Sequence, residues 1–191
     1  MTTKLIRYAA SLATAAAMML LTTPSQARHE LTVVGGSGNA SAKAQCPSGQ
    51  KLVGFSGRTG LWIDQIQMVC ARPGAQPVAM GARYGGAGGG AKDGFCPRNW
   101  DMTNHAALNM TTRERQVAAI NFECRSRATG ETMSMSFGNA AYLARCPGIG
   151  VGNCPSDPFT LQNCPADEVP LGFNVRYGKD VNAIGLICGR L

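Results

Sequence analysis

The sequence predicts an all-β domain built from a threefold internal repeat and stapled by disulfides. A fixed internal period sets an architecture before any single element does. Cys-Pro recurs at Cys46-Pro47, Cys96-Pro97 and Cys146-Pro147, 50 residues apart each time, and a glycine stands eight residues before each, at Gly38, Gly88 and Gly138. Each unit then closes on a Cys with apolar residues seven, four and two positions ahead of it. These are Ile63, Ile66 and Met68 before Cys70; Val117, Ile120 and Phe122 before Cys124; and Val181, Ile184 and Leu186 before Cys188. The last two apolar residues and the Cys alternate with a period of two, so they share one face of a strand.

The chain opens on a targeting pattern. Lys4 and Arg7 make a positive start, Ala9 to Leu21 is apolar, and Ser25 and Ala27 are small residues placed as in a cleavage site. The apolar run is shorter than the roughly 20 residues a membrane-spanning helix needs, and no Cys follows the cleavage point to take a lipid. Residues 1–27 therefore read as a signal peptide and 28–191 as one exported domain, secreted or periplasmic, with repeat units at about 30–72, 80–126 and 131–191.

Within the units, Leu52-Val53-Gly54-Phe55-Ser56-Gly57-Arg58 parallels Leu171-Gly172-Phe173-Asn174-Val175-Arg176, and Asn104 to Met110 fills the corresponding stretch of the second unit. Short apolar runs with frequent glycine and turn residues mark strands. Thr111 to Ala119 is the one stretch that reads equally well as a short helix or a loop. The third unit carries an insertion around Gly148 to Pro165, rich in Pro, Gly and Asn.

The eight cysteines (46, 70, 96, 124, 146, 154, 164 and 188) all follow the leader, which fits a disulfide framework in an oxidising compartment. A zinc site would want closely paired Cys with His nearby, and the only His are His29 and His105. Equivalent units should pair equivalently, which favours Cys46–Cys70 and Cys96–Cys124. Cys188 is left with Cys146, by the 50-residue period, or Cys164, by the 24-residue separation, and Cys154 pairs with whichever remains.

The formal charge of +7 falls to +5 without Lys4 and Arg7, and the remaining basic residues are scattered. A dense basic run with interleaved aromatics, as in a nucleic-acid groove, is missing, so a mildly basic solvated surface is expected. No cofactor, metal or nucleic acid is implied. Asn39-Ala40-Ser41 and Asn109-Met110-Thr111 are glycosylation triplets in a eukaryotic host, although the Ala-rich leader looks bacterial.

Cys46-Pro47-Ser48-Gly49, Gly54-Phe55-Ser56 and Cys70-Ala71-Arg72 resemble the vitelline membrane outer layer protein family, through all three repeats. That resemblance implies a β-prism, three antiparallel sheets about a pseudo-threefold axis. The same architecture serves the jacalin-like lectins, and Gly60-Leu61-Trp62-Ile63-Asp64 resembles their Gly-x-x-x-Asp sugar loop. The likeness implies that Asp64 accepts hydrogen bonds from sugar hydroxyls, that the backbone of Leu61 and Trp62 adds a donor and an acceptor, and that Gly35 and Gly36 let a sugar approach closely. The third unit has Asn182 where the first has Asp64, and the second has Ala118.

The leading expectation is thus a non-enzymatic module that binds glycans or envelope polysaccharide through Gly60 to Asp64. An alternative is an envelope, matrix or inhibitor-like protein that meets a secreted protein through residues 148–165. An enzyme would need a nucleophile with a base or a carboxylate pair. His105 stands alone, and nothing selects two among Asp64, Asp93, Asp101, Glu114 and Glu123.

Overall fold

The computed structural model describes residues 28–110, 116–139 and 159–191. Expectations for the leader, Glu114, Cys146, Cys154 and the insertion up to 158 lie outside them. Among the described residues every regular element is a strand: β1 (Arg28–Glu30), β2 (Val34–Gly35), β3 (Ala40–Gln45), β4 (Lys51–Thr59), β5 (Ile63–Ala71), β6 (Val78–Gly85) and β7 (Gly90–Phe95), followed by β8 (Trp100–Met110), β9 (Val117–Ser126), β10 (Thr132–Gly138), β11 (Phe159–Asn163), β12 (Val169–Tyr177) and β13 (Val181–Gly189). Val117 to Ala119, open to a helix in the sequence, belongs to β9.

The strands form three antiparallel sheets, ordered β6-β5-β4-β7, β10-β9-β8-β11 and β1-β13-β12-β3, with β2 also on β13. Strand β7 leads into Cys96, the landmark of the second repeat, yet it completes the first sheet by pairing with β4. In the same way β11 leads into Cys164 and completes the second sheet on β8. Strand β3 leads into Cys46 and crosses to β12 near the far end of the chain. Each sheet therefore takes its fourth strand from the segment that opens the next repeat.

This topology corrects the third landmark of the sequence period. The Cys-Pro that follows the fourth strand is Cys164-Pro165, and Cys164 is bonded to Cys188 as Cys46 is to Cys70 and Cys96 to Cys124. Gly138 likewise is not the counterpart of Gly38 and Gly88. It lies opposite Ala119, as Gly85 lies opposite Gln65 and Gly35 opposite Ala183. All three have left-handed φ, at 141°, 113° and 132°, a conformation open to Gly and costly to other residues. Cys146-Pro147, which keeps the 50-residue spacing, lies outside the described residues.

The sheets meet through β4, β8 and β12, each of which contacts the other two. At their centre Phe55 packs against two rings of the second sheet, Phe122 at 5.8 Å and Phe137 at 6.0 Å, and one of the third, Phe173 at 5.8 Å between centroids. All four side chains are fully buried. The second repeat reverses a size pair. The first and third place Phe55 opposite Met68 and Phe173 opposite Leu186, whereas the second places Ala106 opposite Phe122. The large ring has moved one strand over, and the fully buried Phe137 of β10 packs at the same centre, as close packing requires.

Polar pins join the sheets at their margins. Buried Lys51 reaches Asp101 at 2.5 Å, and Arg127 grips the same carboxylate at 2.8 Å. Buried Gln162 of the second sheet accepts from the Leu186 amide of β13 at 3.1 Å and donates to the Thr32 carbonyl, in the link between β1 and β2, at 3.2 Å.

Two outcomes follow from this packing. Phe55→Ala should lower the unfolding free energy by about 3–5 kcal/mol, read from a denaturant titration, and a loss under 1 kcal/mol would contradict the central role given to the ring. Non-reducing peptide mapping should recover Cys164 joined to Cys188, with no peptide joining Cys146 to Cys188.

Candidate functional site

Asp64 is the second residue of β5, just past a tight turn in which the Gly60 amide donates to the Trp62 carbonyl at 2.9 Å. At the turn's tip Leu61 is 70% exposed, while Trp62 is half-buried. The neighbour of the turn is the glycine-rich link between β6 and β7. The Gly86 amide donates to the Asp64 carbonyl at 2.8 Å, and Gln65 Nε2 donates to the Gly86 carbonyl at 3.0 Å. Arg58 of β4 then fastens the link, its Nε donating to the Gly88 carbonyl at 2.7 Å and its Nη2 to the Gly89 carbonyl at 2.5 Å.

The Asp64 carboxylate lies under this link. A Cβ on Gly88 would fall 2.2 Å from Oδ1, and one on Gly89 2.5 Å from Oδ2, so only glycine leaves room for the carboxylate here. Oδ2 is shielded from solvent and receives no hydrogen bond from the described residues. Burial pushes the Asp64 carboxyl above the ordinary carboxylate range, and the Asp180 charge adds to this. Hydrogen bonding from the backbone of Asp64 and Gly60, and the Arg58 charge, work the other way.

Asp180 is buried and takes a hydrogen bond from Gln116 Nε2 at 2.9 Å. Asn139 Nδ2 donates to the Leu61 carbonyl at 3.1 Å. The turns that close the three sheets thus gather at one end of the molecule.

Gly60, Leu61, Trp62 and Asp64 stand together, as the sequence led one to expect, but Gly35 and Gly36 do not join them. Gly35 is paired with Ala183, and the Gly36 amide donates to the Asn182 carbonyl at 3.0 Å, in the third sheet. The exchange of fourth strands is the reason, since the glycine link ahead of each Cys-Pro serves the previous repeat. The residues that sequence reasoning missed beside Asp64 are Gly86, Gly88, Gly89 and Arg58. The signal for the glycines was present in Gly85-Gly86, which repeats Gly35-Gly36 after 50 residues.

The carbonyls of Leu61 and Trp62 are already occupied, by Asn139 and Gly60. Of the other carboxylates, Asp101 is engaged by Lys51 and Arg127, and Asp93 lies across from Ser56 on β4. His105 lies on β8 in register with Asn163.

No protein-family model matches this chain, and no curated protein resembles it in sequence. Solved structures do match. Malaysian banana lectin superposes with a TM-score of 0.57 at 15% identity, over 85% of this chain and 98% of that one. A mannose-specific jacalin-related lectin from Morus nigra, solved with mannose, gives 0.54 at 15% identity over 88% and 98%. The Vibrio cholerae biofilm matrix protein Bap1 gives 0.52 at 16% identity, over 87% of this chain and 25% of that longer one. The fold is a jacalin-like β-prism. The likeness to the vitelline membrane proteins rests on the sequence motifs alone.

In this β-prism the three repeats offer the same backbone frame with different chemistry. The amides of Gly86, Asn139 and Gly36 donate to the carbonyls of Asp64, Ala118 and Asn182 at 2.8, 3.0 and 3.0 Å. Among these three positions only Asp64 brings a carboxylate.

Because Asp64 binds its proton more tightly in the folded state than in the unfolded one, its contribution to stability is full below the ordinary value of 3.8 and is lost as pH rises through the raised folded pKa. Asp64→Asn removes that loss. The melting temperature of the variant relative to wild type should climb as pH is raised from below 3.8 and level off near neutrality. Parallel curves at all pH values would show that the carboxyl is unperturbed.

Proposed function

We propose that this chain is an exported, non-enzymatic glycan-binding module that holds its ligand between the Gly60–Trp62 turn, Asp64 and the Gly86–Gly90 link. The observation that carries the reading is the Asp64 carboxylate. It is fixed in place with Oδ2 unpartnered beneath an exposed backbone that has almost no side chains. A buried acceptor without a donor is costly, and a sugar hydroxyl supplies a donor. Hydrogen bonds to an ionised acceptor are about twice as strong as neutral ones. Release of the Gly88 and Gly89 carbonyls by Arg58 would lift the link and expose Oδ2, while Leu61 and Trp62 offer an apolar flank for the face of the ring.

Two further facts support the reading. The fold is one on which banana, pineapple and mulberry lectins are built, and the Morus nigra protein holds mannose. Fold likeness does not by itself transfer function, so the weight rests on the carboxylate. Three disulfides among the described residues also suit an oxidising compartment outside the cytoplasm.

A protein partner met through residues 148–158 is the second reading, since 159–163 of the expected insertion are strand β11 and Cys164 is bonded to Cys188. It is favoured by where the insertion starts, since Asn139, the last described residue before it, touches Leu61 at the same end of the prism. Such loops often carry function on a rigid scaffold.

On a glycan array, the oxidised wild-type protein should retain neutral, mannose-type glycans, and Asp64→Ala should weaken that binding about tenfold or more. Retention by the variant at wild-type strength, or no retention by folded wild type, would reduce Asp64 to a strand-initiating residue. In the latter case, replacing residues 140–158 with a glycine linker and losing capture of a secreted protein would favour the second reading.

A further inference from the structure

We infer that the third sheet carries a separate binding site, centred on Arg176, for a saccharide bearing a carboxylate or sulfate group. Arg176 is the structural counterpart of Arg58. Arg58 is paired with Ala91 and Gln65 in the first sheet, and Arg176 with Ser41 and Ala183 in the third. The two arginines are used differently. Arg58 donates both available arms to the Gly88 and Gly89 carbonyls. Arg176 is exposed and makes no hydrogen bond or ion pair with any described residue.

In place of a clamped link, Arg176 borders a cleft of about 280 Å³ lined by Ser37, Gly38, Asn39, Ala40 and Ser41. Gly38 makes this possible by lying flat on β12, where an added Cβ would fall 2.4 Å from the Tyr177 amide nitrogen. The cleft has one fixed positive charge and a set of small neutral donors, namely the hydroxyls of Ser37 and Ser41 and the amide of Asn39. No carboxylate lines it. Glu30, on β1 of the same sheet, is taken by Lys43 and Asn174, and Asp180 is buried against Gln116. Where the first repeat has Asp64, the third has Asn182.

A planar guanidinium with free N–H groups matches the two oxygens of a carboxylate or sulfate in a fork. The hydroxyl and amide donors around it suit the ring oxygens of a sugar. A nucleic acid would require several cations in a row to follow its phosphates, whereas this cleft has a single one. The oxyanion part of the inference rests on Arg176. The saccharide part rests on the proposed glycan reading, because the cleft belongs to the same end of the prism as Asp64.

The experiment is calorimetric titration of the intact, oxidised protein at low salt with oligogalacturonate, its fully methyl-esterified form, a sulfated oligosaccharide and inorganic sulfate. Esterification removes the charge and keeps the sugar. Wild type should bind the acid or the sulfated chain at least about tenfold more tightly than the ester, as expected for a charge-assisted pair. The gap should narrow as salt shortens the screening length. Arg176→Ala should abolish the discrimination and Arg176→Lys retain part of it. Arg83→Ala, which removes the same charge from β6, should leave it intact. An Arg176→Ala protein that still separates acid from ester, or a wild type that never does, would overturn the site. Inorganic sulfate binding as tightly as either oligosaccharide would overturn its assignment to saccharides. Discrimination without any binding of neutral glycans would uphold the Arg176 site while removing support from Asp64.

Discussion

Everything in this molecule depends on three sheets burying one face each at the same place. A four-stranded sheet has one apolar face, and two sheets can cover each other directly. Three sheets meet along a line, and the line must be filled. Phe55 fills it, with Phe122, Phe137 and Phe173 closing round. Aromatic side chains suit the task because each buries a large area with few rotatable bonds. The axis has to be filled from whichever strand can reach it, and the second repeat does so with Phe122 of β9 and Phe137 of β10 beside the small Ala106.

That central demand frees the ends. With the core supplied by strand interiors and pinned by Lys51–Asp101–Arg127 and by Gln162, the turns and glycine links carry little of the packing. They can differ between repeats at small cost to the fold. The first repeat has used this freedom to cover a carboxylate with glycines, the third to leave an arginine over an open cleft, and the second to carry an insertion. One backbone frame thus carries three chemistries, while the hydrogen bonds that hold the frame stay fixed.

The fold class was legible because strand alternation and Cys spacing are local properties, and both survived in every repeat. The pairing Cys46–Cys70 followed from the same locality. What local reading could not supply was the passage of chain from one sheet to the next. Gly138 and Cys146 kept the arithmetic of the period while the structural period moved to Cys164, and only the partner of each strand distinguishes the two. The site suffered in the same way. Asp64 and its turn lie within one hairpin, where neighbouring residues alone set the geometry. Its glycine cover lies more than twenty residues on, and was sought at Gly35-Gly36, a full repeat too early. Arg58 was visible as part of the Gly-Phe-Ser-Gly-Arg strand, but its grip on two backbone carbonyls has no sequence signature.

The strand exchange also bears on how the chain reaches this structure. Strands β2 and β3 find their partners in β13 and β12, so the third sheet, unlike the other two, cannot be completed by sequence neighbours. The first strands made wait, unpaired, for the last. Contacts this distant in sequence slow folding, because the entropy of closing a long loop is lost before any contact compensates for it. The first two sheets draw only on consecutive strands, β4 to β7 and β8 to β11, so two walls can stand before β12 and β13 are in place. The third wall joins the two ends of the chain, and the Cys164–Cys188 bridge can lock only after that closure.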